Sequence, residues 1–287
     1  MTTFISRAEA DAGIAQSFRE WSHAKPLSEA LGRAEAGVRA KPQDPQSRWL
    51  LFELLCVLGQ WDRALKQLQT WAGFSKDFDS TAHVMRGLIR AEYQRMEVFA
   101  GRAEPATVTA ADTQASSWMT GLGEALKLAG NNEQSAIEAS DLARERALSQ
   151  VPDTAGVSDG QAAFAWITDS DTRLGPICEV VLIGAYRWLA FVDLASVTKA
   201  APNGLLDLVW SQVDLVLRDG SPLKGYMPMR YPVLSGDRDA FLLARETVWL
   251  DVGRTGVHAR GQKMWMTDAG DLSLLDLRRC EFSHVAR

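Results

Sequence analysis

From residue 27 onward apolar positions recur at helical spacing. Leu27, Leu31, Ala34 and Val38 share one face, and Lys41-Pro42 closes the stretch. Asp44-Pro45 opens a second helix, because proline lacks an N–H that the first helical turn does not use. That helix turns Trp49, Phe52, Leu55 and Cys56 to one side and stops at Gly59. Trp61, Ala64, Leu65 and Leu68 mark the face of a third. Gly59 permits the sharp reversal and Ala64 a close approach, so Gly-x-Trp-x-x-Ala reads as the turn of a tetratricopeptide-like helix pair. Asp79-Ser80 is placed to cap a helix carrying Val84, Leu88, Tyr93, Met96 and Phe99. A polar stretch from Gly101 to Thr113, with Pro105, reads as a loop. A last pair follows, with Trp118, Leu122, Ala125 and Leu126 on one member, a Gly130-Asn131-Asn132 turn, and Ile137, Ala143 and Ala147 on the other. The period is irregular, so the region is TPR-like and not a regular array.

Gln150 to Gly160 is rich in turn formers and reads as a linker. Beyond it the period shortens to that of strands. Val180 to Ile183 and Tyr186 to Phe191 flank Gly184-Ala185 as a hairpin. Val213 to Leu217 and Leu223 to Met229 flank Asp219-Gly220, a strong two-residue turn signal. Met264 to Met266 and Leu272 to Leu277 flank Asp268-Ala-Gly270 in the same way. Asp239 to Arg245 reads as one short helix. The expected fold is α+β: a TPR-like α-helical repeat domain over 1–155, then a small antiparallel β domain over 163–287, sheet- or barrel-like.

Composition narrows the function. With 46% hydrophobic and 23% charged residues over 287, the chain has the makings of a packed core, which argues against disorder. A net charge of −5 with no basic run argues against a nucleic-acid surface, which needs clustered Lys and Arg to displace counterions. Cys56, Cys178 and Cys280 are odd in number and far apart, as buried thiols of a reducing compartment would be. The longest apolar run, Trp49 to Leu58 broken by Glu53, is shorter than the roughly 20 residues of a bilayer span. The first residues lack the basic start and apolar core of a signal peptide. A cytoplasmic protein without membrane insertion is expected.

The densest chemistry lies in Trp166-Ile-Thr-Asp169-Ser-Asp171-Thr-Arg173-Leu-Gly175-Pro176-Ile-Cys-Glu179. Asp169 and Asp171 offer hard oxygen ligands of the kind a divalent cation takes. Arg173 competes with a metal for them, and a nearby positive charge is expected to keep both acids ionised. The structural alternative is a turn whose Asp side chains accept backbone N–H bonds and pair with Arg173 ahead of Gly175-Pro176. His23, His83, His258 and His284 share no ligand spacing, and no Gly-x-Ser-x-Gly elbow or phosphate-binding glycine loop occurs. Most of the ten tryptophans read as core; Trp21 and Trp71, flanked by polar residues, are expected to be exposed.

That acidic passage resembles the signature of the ImpE/TagJ family, accessory proteins of bacterial type VI secretion. Further matches are Gly184-Ala-Tyr186-Arg-Trp188 with Phe191, Asp207-Leu-Val-Trp210, and Arg230-Tyr231-Pro232. The resemblance implies a non-enzymatic adaptor that needs no cofactor. It also implies binding to the N-terminal helix of the small sheath subunit, TssB, and a link to the AAA+ unfoldase ClpV, which disassembles the contracted sheath. Candidate partner-contact residues are Trp21, Trp71, Trp166, Asp169, Asp171, Arg173, Arg230 and Tyr231, on a surface composed from both halves. A homo-oligomeric scaffold and a metal-dependent enzyme using Asp169 and Asp171 are the alternatives.

Overall fold

The structure is a computed structural model that describes residues 26–108, 115–130, 133–160 and 162–283. Trp21, His23 and His284 lie outside the described residues. The chain is α+β, with seven α-helices in the described residues, six of them ahead of a sheet-rich half.

Helix α1 spans Leu27–Ala40, α2 Pro45–Val57 and α3 Trp61–Ala72. Asp44 caps α2 by accepting from Ser47 N at 2.9 Å, with Pro45 in the first turn. Every residue of α2 from Leu51 to Val57 is buried, Glu53 included. A helix apolar on nearly all sides sits in the middle of a fold, and α2 does. Gly59 takes φ +66 beyond its end, and a Cβ there would press on Val233 Cγ1 at 3.2 Å.

Helix α4, Asp79–Phe99, departs from the expected pattern twice. It carries no side-chain cap at its N-terminus; Ser75 instead caps the 3-10 turn Lys76–Phe78 ahead of it. Its buried face is also rotated: Leu88, Ile89, Glu92, Arg95 and Val98 are buried, whereas Val84, Tyr93 and Met96 are exposed. Apolar periodicity missed this face because two of its residues are charged and find partners across the fold.

Helices α5, Ala115–Ala129, and α6, Gln134–Leu148, pair as expected through Trp118, Leu122 and Leu126. At Gly121 an added Cβ would lie 3.0 Å from Ala147 Cβ, which shows how closely the two helices approach. Asp141 of α6 accepts from Arg254 N at 2.8 Å and from Thr255 Oγ1 at 2.8 Å, so α6 also holds the turn of a β-hairpin.

That hairpin is β9, Thr247–Val252, with β10, Gly256–Gly261, and it had no clear sequence signal. The three hairpins that were legible form as β4, Ile177–Leu182, with β5, Ala185–Ala190; β7, Trp210–Leu217, with β8, Pro222–Pro228; and β11, Met264–Thr267, with β12, Gly270–Ser273. Strand β12 ends earlier than expected, and Leu274 to Asp276 follow as a turn. Two stretches read as loop and linker contain strands: β1, Thr107–Val108, runs parallel to β5, and β2, Ala155–Ser158, pairs with β13, Arg279–Ser283. With β3, Ile167–Asp169, and β6, Leu194–Lys199, the strands build an eight-stranded sheet in the order β1-β5-β4-β8-β7-β6-β13-β2 and a small sheet β12-β11-β3. The large sheet is open, with β1 and β2 at its edges, and is not a barrel.

Both faces of the large sheet are covered. Ile177, Val181, Tyr186, Trp188, Ala190 and Trp210 share a core with the helices, and Trp210 lies 5.6 Å from Trp61 between ring centroids. Cys178, Val180, Leu189, Val213 and Leu215 pack on the other face against Ile167, Trp265 and Leu272 of the small sheet. Strand β4 is therefore buried throughout, which is why Ile-Cys-Glu-Val-Val-Leu reads as an almost unbroken apolar run. The inner face of the helices packs against the protein's own sheet in one shared core. Cys56, Cys178 and Cys280 are all buried free thiols.

Asp44→Ala removes the cap of the central helix. It is expected to cost about 1 kcal/mol, read as a lower midpoint in urea denaturation with an unchanged slope.

Candidate functional site: a buried ionic corner

Between the helices and the two sheets, six charged side chains are removed from water. Glu179 points from β4 toward α4, where Arg95 grips it with two bonds, Nε to Oε1 at 2.7 Å and Nη2 to Oε2 at 2.9 Å. Lys263, just ahead of β11, places Nζ 2.5 Å from Glu179 Oε2 and 2.5 Å from Asp169 Oδ2. The side chains of Lys263, Asp169 and Glu179 are fully buried. Glu92 lies 3.6 Å from Arg95 and accepts from Trp210 Nε1 at 2.7 Å. Tyr186 donates to Glu179 Oε1 at 2.7 Å and accepts from Trp188 Nε1 at 2.8 Å.

Arg230 completes the set. It donates to the carbonyls of Cys56, Val57 and Leu242 at 2.8, 2.5 and 2.5 Å, while its own carbonyl accepts from Arg95 at 3.0 Å. Those carbonyls lie at the C-terminal ends of α2 and of α7, Asp239–Leu242, where a cation satisfies orphan acceptors and meets the negative end of the α2 dipole. Three cations, Arg95, Arg230 and Lys263, thus stand against three anions, Glu92, Asp169 and Glu179.

The acidic passage forms the outer part of this cluster. Asp169 Oδ1 accepts from Asp171 N and from Tyr231 OH, each at 2.9 Å. Asp171 accepts from Arg173 N at 3.0 Å, from the Arg173 guanidinium at 2.8 and 2.5 Å, and from Ala259 N at 2.9 Å. Arg173 then lies over the Phe99 ring, 4.7 Å from its centroid. The turn-fixing alternative is the one the geometry follows. A divalent cation fits poorly, because the carboxylates that would hold it are already engaged by Lys263, Arg95 and Arg173. Among the described residues no group of three or more His, Cys, Asp or Glu is arranged to hold a metal.

The protonation of the corner differs from expectation at one position. Burial pushes Asp169 up to about 6; the Lys263 charge opposes the rise and the like charge of Glu179 adds to it. Burial also disfavours ionised Glu179, but Arg95 and Lys263 outweigh it and hold that carboxyl well below the usual range. Lys263 loses solvation too, yet Asp169 and Glu179 raise it above the ordinary lysine value. Burial and the Asp169 charge drive the Tyr231 phenol well above 10.

Of the candidates read from sequence, Asp169, Asp171, Arg173, Arg230 and Tyr231 converge here, all buried except half-buried Arg173. Trp166 is half-buried and Trp71, expected to be exposed, is buried and stacked on Phe78 with centroids 4.0 Å apart. Sequence reading missed Arg95 and Lys263, because each sits beside other polar residues, Glu92, Gln94 and Glu97 in one case and Arg260 and Gln262 in the other, and so carries no local signal of burial. It also missed Trp249, which is partly exposed and donates to Ser170 Oγ at 3.0 Å, itself bonded to Tyr231.

Comparison with known proteins gives these residues a context. The ImpE protein family model matches residues 161–281. The type VI secretion system accessory component TagJ of Pseudomonas aeruginosa is 38% identical over 271 residues, covering 94% of this chain and 92% of its own length. The chain belongs to the ImpE/TagJ family. The crystal structure of protein VPA1032 from Vibrio parahaemolyticus shares its fold, with a TM-score of 0.80, 22% identity, and coverage of 94% of this chain and 98% of that one. The ImpE match spans Asp169, Glu179, Arg230, Tyr231 and Lys263 but stops short of Arg95. The segment matched by the ImpE model is therefore tied to the helical half through Arg95, a residue outside that match.

Lys263→Met leaves two buried carboxylates without their shared cation. It is expected to cost about 3–5 kcal/mol, measured as loss of soluble folded protein or a steep fall in melting temperature. The raised Asp169 pKa means the native state holds that proton more tightly than the unfolded chain. Its contribution to stability is full below about pH 4 and lost as the pH rises through 6. The melting-temperature advantage of wild type over Asp169→Asn should accordingly shrink between pH 4 and 7; an advantage that grows over that range contradicts the assignment.

Proposed function

We propose that this protein is a non-enzymatic adaptor of the bacterial type VI secretion machinery. In this reading it binds the N-terminal helix of the small sheath subunit TssB and works beside ClpV-driven sheath disassembly. An accessory role in type VI secretion is the broad statement, and its main support is the 38% identity to TagJ along nearly the whole chain. Binding without bond chemistry accords with the buried corner, whose carboxylates are spent on the protein's own cations. A group already paired and sealed from water has neither the access nor the free valence of a general acid or base. Among the described residues no helix is long and apolar enough to cross a membrane. The sheath partner would place the protein on the cytoplasmic side.

Titration of a labelled TssB N-terminal peptide, beside a scrambled peptide of equal composition, tests this. Saturable binding of the native sequence alone is expected. Sedimentation on the same samples separates the scaffold alternative, which would show tight self-association and no peptide binding. Metal analysis of the purified protein, with a stoichiometric ion and hydrolytic turnover, would expose the enzyme alternative.

A further inference from the structure

Where the β4–β5 hairpin meets α4, the chain holds a residue in a conformation that the fold does not reward. Leu182 pairs with Ala185, so Ile183-Gly184 is a two-residue turn, and both residues have positive φ, +50 and +69. Such turns favour Asn-Gly, because a left-handed backbone is costly for a β-branched side chain. Ile183 is nevertheless 99% exposed, so no internal packing offsets that cost. Strain of this kind, kept at a surface, points to a use outside the fold.

The turn is held firmly. A Cβ on Gly87 of α4 would lie 3.0 Å from Gly184 Cα, and Arg90 donates to the Gly184 carbonyl through Nε and Nη2 at 3.3 and 3.1 Å. Beside it the sheet runs out from under α4 and leaves a groove of about 290 Å³. Val84, Leu88, Val181 and Tyr226 supply its apolar lining together with Ile183. His83, Arg90 and Lys224 supply its polar rim, and none of the lining residues described is acidic. Lys224 pairs with the exposed Asp214 at 3.3 Å. An apolar slot with a basic rim on a protein of net charge −5 is selective for an apolar partner with acidic borders.

We propose that this groove is the docking site for the sheath-subunit helix, which enters as an amphipathic helix with an apolar stripe flanked by Asp and Glu, and that Ile183 anchors it. The inference rests on the adaptor reading above and adds the place and the chemistry of contact. Ile183→Asn separates binding from folding, since asparagine suits the turn better than isoleucine does.

The experiment titrates the labelled TssB N-terminal peptide against wild type, Ile183→Asn, Val84→Asp and Lys224→Glu. Ile183→Asn should melt no lower than wild type yet bind about tenfold more weakly or worse, as loss of a central anchor does. Val84→Asp and Lys224→Glu should also weaken binding, and raising NaCl from about 50 to about 500 mM should weaken the wild-type complex. Peptide binding that is indifferent to all three substitutions and to salt overturns the groove while leaving the adaptor reading intact. A wild-type protein that binds no peptide overturns that reading and the groove with it.

Discussion

The architecture turns on one chain of charges sealed from water: Arg95 to Glu179, Glu179 to Lys263, Lys263 to Asp169. Each link joins a different part of the fold, from α4 to β4 to the segment ahead of β11 to the end of β3. Burying an ion is expensive, and the cost is tolerable only when every charge has a partner in good geometry. Here the formal charges balance and Tyr186, Tyr231 and backbone groups take up further bonding capacity. Moving any one element would strand an ion in a low dielectric. The network therefore constrains how helices and sheets sit together.

This constraint gives the acidic passage a physical role. The residues that look most like a catalytic or metal site, Asp169 and Asp171, are turned inward and used as anchors. Asp171 organises its own turn and takes a backbone bond from β10, and Asp169 passes the load to Tyr231 and Lys263. Arg230 ties the adjoining segment to the ends of α2 and α7. A helical half whose inner face is filled by the sheet cannot work as an open repeat solenoid. The groove beside the Ile183 turn lies at the junction between α4 and the sheet.

Much of the fold was legible in residue order. Turn chemistry at Asp44-Pro45, Gly59 and Asp219-Gly220 is local, so the helix start, the reversal and the hairpin follow from a few neighbours, whatever lies across the molecule. The same holds for the faces of α3 and α5, where apolar residues meet other apolar residues. The site was legible in part: Asp169, Asp171, Arg173, Arg230 and Tyr231 stood out by type and spacing. Their role did not, because exposure decides whether a carboxylate is a ligand or an anchor.

What the sequence by itself determined is the class and order of elements, a helical-repeat-like half followed by an antiparallel β half, together with the family. Tertiary structure alone decided which face of α4 is buried, since Glu92 and Arg95 are acceptable inside only opposite Trp210 and Glu179. It also decided that Thr107–Val108 and Ala155–Ser158 become strands, because short segments with weak propensity pair only when a sheet edge is offered to them. Local periodicity records what a residue prefers in isolation from distant partners. A buried charge, or an edge strand two to four residues long, depends on a partner many residues away, and no window along the chain contains both.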